Sequence, residues 1–293
     1  MSRWKSFFMV VAVLLLHQTC DTITNTNNQT YCPPSSCGKI RNIKHPFRLM
    51  NDPTGCGDPK YELSCENNIT ALTLFSGKYY VQEINYIDYT IRLVDPGIQE
   101  GDCSSLPRYF LSSSNLTFGG GYDYYEANEA DPYQTGGFGY WHIVYLKCSK
   151  PVNDDPEYVD TAPCINSDSK SYLYAFVGYD FSVGRLKDYC QVKLVAMSSS
   201  DYPSDSVRVR EGVPDRHRHR HRPLSYKEIH GMLLNGFQLS WMSSACRESC
   251  GDKVMRCFLN YTTKEVECYG DNLQDYCVYP LGNRVHKRCG KKY

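Results

Sequence analysis

Between Cys32 and Cys65 the chain places four cysteines and five basic residues within 34 positions, directly after a segment with the marks of a secretory leader. Cysteines at that density in an exported chain restrict the fold more than any other feature, because each disulfide closes a loop and an oxidising compartment lets it persist. The leader is read from Arg3 and Lys5 ahead of the apolar run Phe7 to Leu16, after which the chain turns polar at His17. A bilayer span needs about 20 apolar residues, so this short run predicts a signal peptide over residues 1–20 rather than an anchor. No later stretch is long and apolar enough to span, and the basic end 285–293 lacks the apolar tail of a lipid-anchor signal. A secreted, extracellular chain is expected.

Of the 15 cysteines, Cys20 falls at the leader. The other 14 divide into eight, Cys32, Cys37, Cys56, Cys65, Cys103, Cys148, Cys164 and Cys190, and six, Cys246, Cys250, Cys257, Cys268, Cys277 and Cys289. Seven disulfides are expected, with the pairing open, since six cysteines alone allow about 15 arrangements. Cys246 and Cys250 have a metal-like gap, but no second pair at zinc-ligand spacing follows and the compartment oxidises thiolates, so neither a metal nor a cofactor is expected. Four Asn-x-Ser/Thr sequons, at Asn28, Asn68, Asn115 and Asn260, mark exposed positions for glycans, and a glycan cannot sit in a buried interface.

The length of 293 residues suits two folded units with a real core. Tyrosine is the outlier, with 25 against three Trp, and a ring with a hydroxyl suits half-buried strands first and sugar faces second. The formal net charge is zero, so a polyanion partner has to be argued from local clustering, and no nucleic-acid partner is expected. From Cys32 to Cys65 the basic residues Lys39, Arg41, Lys44, Arg48 and Lys60 outnumber Asp52, Asp58 and Glu62, a mild positive patch.

Along the chain, β-branched and aromatic runs bounded by Gly, Pro and Asp predict strands at 71–75, 79–84, 89–94, 140–147, 171–181 and 191–197, with turns at 85–88 and 95–97. In the third of these Tyr89, Ile91 and Leu93 share one face. The glycine clusters at 119–121 and 136–137 lack the spacing of a phosphate loop, and the acidic stretch between them lacks the spacing of a calcium loop, so 103–139 reads as solvated loop. Residues 198–223 read as a flexible linker because Arg216 to Arg222 alternates Arg and His and cannot bury itself. Ser225 to Glu228 is a capping box, with Tyr226, Ile229 and Leu233 on one face and a stop at Asn235-Gly236, so one short helix is expected. The expected organisation is a β region over 32–197, the linker, and a cysteine-rich module over 224–293. The fold class is mainly β, a disulfide-rich extracellular domain followed by that small module, with little helix.

Cys37-Gly38, His45-Pro46-Phe47, Cys56-Gly57 and Leu63-Ser64-Cys65 resemble the galacturonan-binding extracellular domain of plant wall-associated receptor kinases and their leaf-rust-type relatives. Cys148-Ser149-Lys150-Pro151-Val152, Ala162-Pro163-Cys164, Ser171-Tyr172-Leu173-Tyr174 and Cys190-Gln191-Val192 resemble the second segment of the leaf-rust-type ectodomains, and the cysteines from 246 onward resemble the module that follows it. Relatives often carry Tyr where His45 stands, and His45 is read as a packing or hydrogen-bonding residue. The resemblance implies binding of acidic cell-wall polysaccharide (pectin) in the wall space, with a full-length receptor kinase as a further partner. The transmembrane and kinase parts of such receptors are absent from these residues, and no G-x-S-x-G, H-E-x-x-H or kinase motif occurs, so no enzyme is expected.

Galacturonate carboxylates pair with Lys and Arg while ring faces rest on aromatics. The expected site is therefore Lys39, Arg41, Lys44, Arg48 and Lys60, with Tyr61 as aromatic neighbour. The His/Arg run would add positive charge at acidic pH and tighten pectin binding. The alternatives are an ectodomain that recognises a protein or peptide and modulates a receptor, or a cysteine-rich defence inhibitor.

Overall fold

The computed structural model describes residues 31–268 except 76, 117–124, 127–131, 136–138, 163, 167–170, 180, 201–223, 252–255 and 261. The leader, Asn28, the His/Arg run, Cys277 and Cys289 lie outside the described residues.

The strands are β1 (Ser35–Cys37), β2 (Ile40–Ile43), β3 (Arg48–Leu49), β4 (Glu62–Glu66), β5 (Ile69–Leu74), β6 (Gly77–Asn85), β7 (Thr90–Val94), β8 (Tyr125–Glu126), β9 (Trp141–Cys148), β10 (Val159–Asp160), β11 (Tyr172–Gly178), β12 (Cys190–Ser198), β13 (Phe237–Ser240), β14 (Arg256–Leu259) and β15 (Val266–Cys268). Among the described residues two α-helices, α1 (Tyr226–Asn235) and α2 (Met242–Cys250), complete the mainly β fold. β1 and β2 form a hairpin. β13-β7-β6-β5-β4-β3 is a six-stranded sheet, β10-β11-β9-β12 a four-stranded one and β15-β14-β8 a three-stranded one. All neighbours are antiparallel except β3 and β4.

The strands follow the alternation in the sequence. In β7, Ile91 and Leu93 point into the core, while Thr90 is buried too because Gln238 Nε2 donates to its hydroxyl across the sheet at 2.7 Å. Tyr89 departs from the expected face: it sits in the preceding turn with φ of 54° and rests against Trp241. The expected turn at 85–88 forms around the Asn85 side chain, which accepts from the Ile87 and Asp88 amides. Eight tyrosines, Tyr61, Tyr79, Tyr133, Tyr140, Tyr145, Tyr158, Tyr174 and Tyr226, are buried, so much of the tyrosine excess is core.

Among the described residues six disulfides join Cys32 to Cys56, Cys37 to Cys65, Cys103 to Cys164, Cys148 to Cys190, Cys246 to Cys257 and Cys250 to Cys268. None crosses from the first eight cysteines to the last group. Cys148 and Cys190 face each other in the β9–β12 register.

Elements that follow residue 224 pack against the strands that precede it. The capping box forms as expected, with Ser225 Oγ accepting from the Glu228 amide and the Glu228 carboxylate accepting from the Ser225 amide. The apolar face of α1, Tyr226, Ile229 and Leu233, is buried in the same cluster as Trp141, Ile143 and Tyr145 of β9. β13 then pairs with β7 as an edge strand of the six-stranded sheet. A strand of four residues has no stability of its own, and the open edge of β7 supplies its hydrogen bonds.

One helix is expected from the sequence and the described residues contain two. α2 reads Met-Ser-Ser-Ala-Cys-Arg-Glu-Ser-Cys, poor in strong helix formers, and its N-cap residue Trp241 offers no capping side chain, although Ser240 Oγ accepts from the Met242 amide at 3.2 Å. Its cause is tertiary. Cys246 and Cys250 stand at i and i+4, on one helical face, while Cys257 and Cys268 are directly opposed in the β14–β15 hairpin. Both pairs have spacings of about 5–6 Å, so one helical face matches one hairpin face. The expected solvated loop 103–139 also contributes β8, which pairs with β14.

A Ser–His contact lies under α1. Ser105 Oγ accepts from the Gln99 amide at 2.9 Å and donates to the Asp102 carbonyl at 2.7 Å. Its 2.8 Å contact with His230 Nε2 therefore makes the imidazole the donor, a structural tie rather than a nucleophile with its base. Burial lowers the His230 pKa from 6.5, with Asp102 opposing the shift. His230 thus takes up a proton less readily in the folded chain than in the unfolded one. Its contribution to stability is complete above pH about 6.5 and is lost as pH falls through the lowered folded-state value. Denaturant titrations should show less stability at pH 5 than at pH 7, with a smaller difference in His230→Gln; an unchanged difference would refute this origin.

Candidate functional site

The β1–β2 hairpin carries the first half of the cysteine-rich motif. It turns at Gly38, whose φ of 58° and contact with the Asn68 backbone leave no room for a Cβ. The Cys37–Cys65 disulfide ties the hairpin to β4, and Thr70 Oγ1 donates to the Cys37 carbonyl at 2.8 Å. Ser35 pairs with Ile43 and Cys37 with Ile40, so Arg41 and Asn42 together oppose the single residue Ser36. This β-bulge, with Asn42 at φ 58°, breaks the simple alternation. Ile40 and Ile43 both point into the core, while Arg41 and Asn42 are both exposed.

Lys39, Arg41 and Lys44 are exposed and make no ion pair among the described residues. Lys44 is held in place at its backbone: its amide donates to Tyr86 Oη at 2.9 Å, that hydroxyl donates to its carbonyl at 3.0 Å, and its ammonium lies 5.0 Å from the Tyr86 ring centre. Lys39 borders a surface cavity of about 220 Å³ with Ile40, Asn68, Tyr80 and Gln82. The half-buried Tyr80 and Tyr86 are the aromatic neighbours of this row. Sequence reasoning missed both, although with Tyr79 and Val81 turned inward the period of β6 places Tyr80 and Gln82 on the opposite face.

The remaining expected site residues are placed differently. Tyr61 is wholly buried and corrects the expectation of an aromatic platform: its ring meets Phe47 and Tyr133 edge-on, its hydroxyl donates to the Pro132 carbonyl at 3.0 Å, and burial pushes its pKa up to about 12. A buried ring has no face for a sugar. The Arg48 side chain, 13 % exposed, lies 3.6 Å from the Glu62 carboxylate and donates to the Asp52 carbonyl at 3.0 Å, so it stabilises the 48–52 turn. Lys60 borders a different cavity, with Thr73 and Phe75. Three of the five basic residues thus stand along one hairpin, and two do not join them.

Behind the hairpin, the end of the described chain clamps the motif. Phe47 packs edge-on against Trp241 at 5.4 Å, Arg247 of α2 lies 3.8 Å from Asp58, and Glu248 lies 3.7 Å from His45. The His45 side chain is 54 % exposed, so it faces solvent beside α2 rather than packing inside. Among the described residues no helix is long and apolar enough to cross a membrane.

Residues 32–95 match the family model described as wall-associated receptor kinase galacturonan-binding. The chain is 24 % identical over 278 residues to the leaf rust 10 disease-resistance locus receptor-like protein kinase-like 1.2 of Arabidopsis thaliana, covering 88 % of this chain and 33 % of the relative. It is 26 % identical over 118 residues to the kinase-like 2.5 member of the same plant, covering 40 % of this chain and 17 % of that protein. A protein of Arabidopsis thaliana that carries the name RING-H2 finger protein ATL21A is 25 % identical over 265 residues, 88 % of this chain and 59 % of its own length. The chain therefore spans between about a sixth and three-fifths of these relatives. No solved structure matches it. Over residues 32–95 the chain is thus similar to the galacturonan-binding domains of wall-associated receptor kinases, and over most of its length it is similar to part of a leaf-rust-type receptor-like kinase.

Proposed function

We propose that the chain is a non-catalytic, secreted binding protein for de-esterified pectin, and that Lys39, Arg41 and Lys44 carry the contact. The observation behind this reading is the row of exposed cations without ion-pair partners among the described residues, on a disulfide-tied hairpin inside the segment that matches the galacturonan-binding family model. A strand rises about 3.3 Å per residue, so the row is long enough to meet several carboxylates of one polymer. Each exposed pair contributes about 0–1 kcal/mol, and affinity accumulates by repetition along the chain of sugars. The sequon Asn68 stands at the Lys39 end, where its Oδ1 accepts from the Gly38 amide at 3.0 Å. A glycan there would crowd Lys39 and leave Arg41 and Lys44 as the centre of the surface.

The test is retention on de-esterified homogalacturonan against a neutral glucan. Reversing Arg41 and Lys44 to Glu should weaken retention about tenfold and flatten its salt dependence. Unchanged retention by a folded variant would overturn this placement, and salt-insensitive capture of one protein would favour a protein-recognising ectodomain instead.

A further inference from the structure

The connection between β5 and β6 presents an anomaly. Leu74 pairs with Gly77, leaving two residues for the turn, and the first of them is Phe75 with φ of 54°. Such left-handed hairpin positions favour Gly or Asn, and a bulky apolar residue there is uncommon. Phe75 is also 57 % exposed, so core packing does not explain it. Phe75 lines a surface cavity of about 220 Å³ with Lys60, Thr73, Leu116, Pro132 and Asn115.

Asn115 opens the sequon Asn115-Leu116-Thr117. Its Oδ1 accepts from the Ser112 amide at 3.0 Å and from the Ser112 hydroxyl at 3.3 Å, a bond that holds the side chain and uses the oxygen rather than Nδ2. Asn260 differs, since its Nδ2 already donates to Glu267. A sequon asparagine and an exposed aromatic residue therefore line the same surface cavity.

We propose that Asn115 carries an N-linked glycan whose first sugar packs on the Phe75 ring, so that this cavity is a seat for the protein's own glycan. In the attachment step Nδ2 bonds to the anomeric carbon of an oligosaccharide carried on a lipid diphosphate. The bond from that carbon to the phosphate oxygen breaks, the lipid diphosphate leaves, and the amide gives up one proton. The C–H face of the sugar then covers the exposed ring, as apolar faces do against aromatics. The inference is independent of the pectin reading.

The experiment uses the full chain secreted by a glycosylating host. Mass spectrometry of the Asn115 peptide reads occupancy, and the rate at which a peptide-N-glycosidase releases that glycan from the native protein reads its protection. Phe75→Asn suits the left-handed turn and preserves the fold, and it should speed release about two- to tenfold, the range a single ring contact corresponds to. Phe75→Trp should retain slow release. A vacant Asn115, equal release rates in the parent and Phe75→Asn, or an added oligogalacturonide that perturbs Phe75 in the fully glycosylated chain would each overturn the proposal.

Discussion

Replacing Trp241 by alanine should lower the stability of the oxidised chain by about 3–5 kcal/mol, the range for truncating a large buried aromatic. The residue is 3 % exposed, and its ring meets Phe47, Tyr86 and Tyr89 at centroid distances of 5.4, 5.5 and 4.9 Å. Its amide also donates to the Tyr89 carbonyl at 2.9 Å. Trp241 lies between β13 and α2, while two of those rings border the hairpin. Its loss should therefore loosen the end of the described chain and the hairpin's support together. Denaturant titration with intact disulfides measures the effect, and Trp241→Phe should recover a large part of it. A loss below about 1 kcal/mol would mean that the end segment packs on the motif without supporting it.

The second large effect is expected at Gly236, the residue that ends α1 and delivers the chain to β13. Its φ of 70° and ψ of −154° fall in a region open essentially to glycine alone. A Cβ there would be driven into the Leu93 carbonyl oxygen, a backbone atom held in the β7–β13 ladder. Gly236→Ala should thus destabilise by about 3 kcal/mol or more, combining backbone strain with a clash that no side-chain rotation relieves. Gly231 provides the control. It lies inside α1 with open space where a Cβ would stand, so Gly231→Ala should stabilise by about 0.5–1 kcal/mol. Equal effects at the two glycines would contradict this account.

Much of the local structure was legible because it is local. The strands at β5, β6, β7, β9, β11 and β12 follow the alternation and the β-branched runs. Helix α1 follows its capping box, whose bonds span three residues. The division of the cysteines into two groups also holds for the pairs described. The positive patch was legible only in part. Lys39, Arg41 and Lys44 are exposed as a pattern of charge suggests, but the bulge that turns Arg41 and Asn42 outward together depends on pairing with β1, which the strand's own residues do not specify.

Tyr61 and Arg48 show where such reading stops. Beside Lys60, a tyrosine looks like a sugar platform, and nothing within ten residues says that Phe47 and Tyr133 enclose it. Arg48 looks like a free cation until the fold brings Glu62 beside it.

What the sequence determined by itself was a disulfide-rich, mainly β chain whose N-terminal motif resembles galacturonan-binding ectodomains, because cysteine spacing, strand period and motif residues are properties of the chain. What only the tertiary structure decided was the placement of β13, α2 and the cation row. β13 takes its hydrogen bonds from the edge of β7, and α2 owes its form to two disulfides with the β14–β15 hairpin rather than to helix propensity. The row survives only where no carboxylate lies within reach. The α2 cysteines find their partners 11 and 18 residues on and β13 finds its own about 150 residues back, and the free energy of such contacts exists only once the chain has folded.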